Sequence, residues 1–101
     1  MEVKELKEKA NGLIMTQLNH EMLGEYCKRF NDKEIGQFVS ENVVYYVAIT
    51  GEVRFQDYEQ HGGDNEPPYA TGTLYYALDV SIYTDELETI AEYDFTGYEN
   101  F

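Results

Sequence analysis

Val3, Leu6, Ala10 and Leu13 recur at intervals of three and four, the interval that places side chains on one face of a helix. Ile14, Leu18, Met22, Tyr26 and Phe30 continue the stripe on a slowly drifting face. Glu5 with Lys9, and Glu25 with Arg29, are i,i+4 pairs with the acid first, the stabilising order. Asn11-Gly12 is a turn-type dipeptide, so the stretch reads as two helices or as one long helix with a weak point. Lys28 and Arg29 suit a helix C-terminus. Asn31 followed by Glu34 resembles a capping box that opens a short helix to about Val39, with Ile35, Phe38 and Val39 turned to the core.

After residue 40 the period changes. Val43 to Thr50 is rich in β-branched and aromatic residues, and Thr50-Gly51 can turn the chain into a second strand from Glu52 to Glu59. Residues 60–72 contain Gly-Gly and Pro-Pro, which a central strand excludes, so they read as a long loop. From Thr73 to Tyr83 the chain alternates, with Leu74, Tyr76, Leu78, Val80 and Ile82 pointing one way. Thr84-Asp85 turns it into a last strand, Glu86 to Phe95.

The expected fold is α+β: two or three N-terminal helices packed on a four-stranded antiparallel meander. One domain of 101 residues divides into a helical part (1–40), a β-meander (43–95) and a tail (96–101). In element order alone this resembles cystatin-like and NTF2-like domains, a likeness that implies a shape and no function.

Charge changes the picture most. The net charge is -13, and residues 52–101 hold twelve acids against Arg54 alone. Such a chain repels nucleic acid and anionic membranes and attracts a basic partner over long range. Cys27 is the single cysteine, which fits a reducing compartment. The charged N-terminus carries no apolar signal region, and the longest apolar run, Val43 to Ile49, is too short for a bilayer. A cytoplasmic location, in the producing or host cell, is the expectation.

The last strand carries the sharpest pattern. Glu86, Glu88, Glu92 and Asp94 all fall on even positions, with Leu87, Thr89, Ala91, Tyr93 and Phe95 on odd ones. Acids two apart on a strand sit roughly 6.8 Å from each other. That is close to the spacing of successive phosphates along one DNA strand, about 7 Å along its helical path. Asp79, Tyr75 and Tyr83 of the preceding strand widen the row if they share its wet face. Asp57, Glu59, Asp64 and Glu66 form a second acidic lobe, and Tyr69 joins Tyr75 and Tyr83 as a candidate packing anchor. Ten tyrosines, nine of them from Tyr45 to Tyr98, supply rings on which guanidinium groups stack.

Catalytic chemistry finds little support. Asp57, Glu59, His61, Asp64 and Glu66 are spaced like the start of an EF-hand, but Pro68 stands where its bidentate Glu belongs. His20 and Cys27 lack a visible orienting group or oxyanion hole. No metal, cofactor or enzymatic activity is expected. The sequence reads as an acidic inhibitor that occupies the nucleic-acid-binding surface of a basic protein. In general character it resembles phage-encoded DNA mimics, such as anti-CRISPR or anti-restriction proteins, and immunity proteins against basic toxins. The expected protein is a monomer or homodimer that touches no nucleic acid or membrane itself. The competing readings are a structural or oligomeric module and a small-ligand domain.

Overall fold

A computed structural model describes residues 3–22 and 25–100. It contains one helix, α1 (Val3–Glu21), followed by four strands, β1 (Cys27–Ser40), β2 (Val43–Gly63), β3 (Glu66–Thr84) and β4 (Thr89–Asn100). The strands form an antiparallel meander in sequence order, β1-β2-β3-β4.

The helix is continuous through Asn11-Gly12. Leu6, Ala10, Ile14, Leu18 and the following Met22 form one row at intervals of four, and all are buried. They pack on one face of the sheet against Val47, Ile49, Val53 and Phe55 of β2 and Leu74, Tyr76, Leu78, Val80 and Ile82 of β3. Burial of these side chains, each worth about 1.5–3 kcal/mol, drives the assembly. The alternation expected from Leu74 to Ile82 is present: these residues face α1, while Tyr75, Ala77 and Asp79 are exposed.

The expectation of two or three helices is wrong, because residues 27–40 form an edge strand. Pairing with β2 breaks register between Phe30 and Lys33 and again between Glu34 and Gly36. Each β-bulge inserts an extra residue and stretches the inward spacing from two to three. Phe30, Lys33 and Gly36, or Ile35 and Phe38, therefore recur at an interval that imitates a helix. Asp32, in the first bulge, has φ 46°, and its backbone N–H donates to Thr50 Oγ1 at 2.9 Å.

Three further boundaries move. Thr50-Gly51 makes no turn: Thr50 pairs with Asp79, Gly51 with Leu78 and Glu52 with Ala77, so the two strands expected at 43–50 and 52–59 are one. Gly51 takes φ 144°, and a Cβ there would lie 2.2 Å from the Ala77 carbonyl oxygen, so only glycine fits.

Residues 60–72 are no loop. Pairing continues through His61 with Tyr69 to Gly63 with Glu66, as a two-stranded ribbon projecting past the last β1 and β4 partners, Cys27 and Asn100. Pro67 and Pro68 are tolerated because they lie where the register shifts and because each ribbon strand has one side free. The expected tail joins β4 through Asn100, and Phe101 lies outside the described residues. The ribbon helps draw the molecule out to 43 × 27 × 20 Å.

Candidate functional site

Helix α1 covers one face of the sheet and leaves the other open. Register decides what the open face carries. Rows running from β1 to β4 read Cys27–Arg54–Tyr75–Tyr98, then Arg29–Glu52–Ala77–Thr96, then Thr50–Asp79–Asp94, then Glu34–Ala48–Ser81–Glu92, then Gln37–Tyr46–Tyr83–Thr89. Five carboxylates, Glu34, Glu52, Asp79, Glu92 and Asp94, thus share the face with two guanidinium groups, Arg29 and Arg54.

Both arginines are engaged by one acid. Glu52 accepts from Arg54 Nε at 2.7 Å and meets Arg29 Nη2 at 3.5 Å. Arg54, and then a hydrogen bond from the Cys27 thiol, hold the Glu52 carboxyl below the usual range, while Glu52 pushes the Cys27 thiol up. The other four acids gain no cation among the described ion pairs. Asp79 lies directly opposite Asp94. The Asp94 carboxylate accepts a hydrogen bond from protonated Asp79 and repels its ionised form, so Asp79 stays protonated to higher pH than an ordinary Asp. Like charges in direct cross-strand register destabilise a sheet.

Tyrosines bracket these acids. On one side Tyr83 stacks on Tyr46, ring centroids 5.6 Å apart, and donates to Glu34 Oε1 at 3.2 Å. Burial first, and Glu34 second, raise the Tyr83 hydroxyl pKa. On the other side Tyr75 and Tyr98 lie 5.9 Å apart, both exposed. They wall a shallow depression of about 460 Å³ whose lining includes Ala77, Thr96, Glu52 and Arg54. A neighbouring depression of about 510 Å³ is lined by Thr50, Asp79, Ser81, Glu92 and Asp94 among others.

The expected acidic row is split. Ile90 sits where β3–β4 pairing shifts register, between Thr89 opposite Tyr83 and Ala91 opposite Ile82, and this resets the alternation. Glu92 and Asp94 stay on the open face with Asp79, Tyr75 and Tyr83. Glu86 and Glu88 lie in the β3–β4 turn, near Asn42 at one end of the sheet.

The second lobe lies on the ribbon at the other end. Asp57 occupies a bulge with φ 56°, Asp64 is in the turn, and Glu66 pairs with Gly63. Glu59 lies beside His61, whose ring stacks on Tyr69 and whose Nε2 is 2.8 Å from Thr71 Oγ1. Among the described residues, no three His, Cys, Asp or Glu side chains group as metal ligands would, and no helix is long and apolar enough to cross a membrane.

Sequence reasoning missed Glu34, Glu52, Tyr46 and Tyr98. Glu34 was hidden by the helical reading of β1, and Tyr98 by the reading of 96–101 as a tail. Alternation in the Tyr45-Tyr46 doublet is the signal that could have found Tyr46, since adjacent strand residues point to opposite faces.

No family model, curated protein or solved structure matches this chain. Geometry and charge alone carry the functional reading.

Proposed function

We propose that the protein is an acidic binding protein that docks its open sheet face on the basic, nucleic-acid-binding surface of another protein and blocks it. The observation that carries this reading is the direct opposition of Asp79 and Asp94. A domain selected only for stability or solubility gains nothing from two carboxylates set against each other, since dispersed acids would serve better. A guanidinium or ammonium group from a partner removes the repulsion on contact, so the cost of the bare face becomes affinity. Glu92 lies two residues from Asp94, roughly 6.8 Å along the strand. Glu34 is three strands away from Glu92, roughly 14 Å. The patch spans two dimensions, as a strip of phosphates does, and Tyr83 and Tyr75 offer rings for arginine stacking beside it.

The test is affinity capture from lysate of the producing or host cell. The protein is immobilised beside an Asp79→Lys/Asp94→Lys variant and eluted first with duplex DNA and then with salt. The proposal expects a nucleic-acid-handling protein that is held by the native chain, released by DNA, and missed by the variant. Equal capture by both proteins would contradict it.

A further inference from the structure

The two edges of the sheet are built differently. β1 has two register breaks and a left-handed residue at Asp32, and it carries Lys28, Arg29 and Lys33. Those cations are already held: Lys28 and Lys33 by Glu21, each at 2.9 Å, and Arg29 by Glu52. Bulges and charges of this kind keep an edge from pairing with another chain. β4 lacks such breaks over most of its length. From Ala91 to Asn100 its register with β3 is continuous, and no residue there has positive φ. It contains no proline and no base, and among the described residues no strand pairs with its outer side.

We propose that the outer edge of β4 takes up an extended basic peptide segment as a fifth strand. This rests on the open face being the acceptor of a basic partner. The free backbone groups of 91–100 supply the hydrogen bonds of strand addition. Alternation then sets the side chains. Residues of the segment beside Glu92 and Asp94 emerge on the open face, where arginine or lysine is favoured. The residues between them lie beside Ala91, Tyr93 and Phe95, which pack against the core, so apolar side chains are favoured there. The fitting segment alternates basic and apolar residues. A second copy of the chain fits less well: β4 on β4 crowds acids together, and β4 on β1 meets a bulged strand whose cations are engaged.

The experiment compares a synthetic peptide of alternating arginine and valine with the same peptide N-methylated at every second residue, which keeps the charge but removes the donors from one side. Affinities are read by calorimetry and β4 amide exchange by NMR, with oligoarginine titrated in parallel. The proposal expects the unmodified peptide to protect alternate amides of 91–100 and to bind at least about tenfold tighter, the equivalent of one or two lost backbone hydrogen bonds. Equal affinity of the two peptides overturns edge pairing and leaves the face reading intact. So does binding of oligoarginine alone. If none of the three peptides binds, both readings fail. Self-association without peptide, seen by sedimentation and slowing exchange along β4, assigns the edge to a second copy and overturns the proposal.

Discussion

The two faces of the sheet solve opposite problems. Under α1, apolar side chains are buried and charges are matched: Glu21 accepts from Lys28 and Lys33, which hold its carboxyl below the usual range, Lys28 first. Lys7 lies 5.1 Å over the Tyr93 ring, and the Tyr93 hydroxyl donates to Asn11 Oδ1 at 2.6 Å. Burial pushes that hydroxyl up to about 12, so it remains a donor throughout the physiological range. On the open face, Asp79 meets Asp94, and Glu34, Asp79, Glu92 and Asp94 have no cation among the described ion pairs. Stability resides on the covered face, which leaves the open face free to carry an arrangement that folding alone would not favour.

The contrast can be broken most forcefully from beneath. Ile14→Ala or Leu18→Ala should cost about 3–4 kcal/mol in denaturant unfolding, a large share of the stability of a domain this small. Gly51→Ala should cost about 2–4 kcal/mol, because its Cβ would meet the Ala77 carbonyl oxygen across the strand pair. Tyr93→Phe should lose about 1 kcal/mol with the hydrogen bond that ties β4 to α1.

Asp79→Asn or Asp94→Asn should reverse the sign and leave stability unchanged or raised at neutral pH. A raised folded-state pKa contributes stability only while the group is protonated. The native protein should therefore lose stability relative to Asp79→Asn as pH rises from 3.8, the ordinary Asp value, through the elevated one. Glu21→Gln should behave oppositely. The lowered Glu21 pKa contributes stability above 4.5 that fades as pH falls through the folded value, so that substitution costs most near neutrality and little in acid. Urea midpoints measured across that range decide both signs. A stability loss at pH 7 for Asp94→Asn as large as that for Tyr93→Phe would erase the contrast between the faces.

Part of this was legible in the sequence, and several of the failures share one cause. The stripe from Leu6 to Leu18 and the alternation from Leu74 to Ile82 are uninterrupted, and both predict the elements that form. Where bulges intervene, the period misleads. Two bulges turned β1 into an apparent helix, and one at Ile90 broke an acidic row that simple alternation had kept whole. Pro67-Pro68 excluded a central strand, but the ribbon offers edge positions, which local sequence does not distinguish from a loop. The acidity of the second half was legible by counting. That Asp79 and Asp94 face each other required the register.

On the proposed reading, negative charge acts from the open face and not as a diffuse coat. The most direct test is calorimetric binding of oligoarginine to two variants of equal net charge, Asp79→Asn/Asp94→Asn on the open face and Glu5→Gln/Glu8→Gln on the helix. A shaped face predicts that the first pair weakens binding about tenfold or more while the second changes it less than about twofold. Equal losses from the two pairs would contradict it.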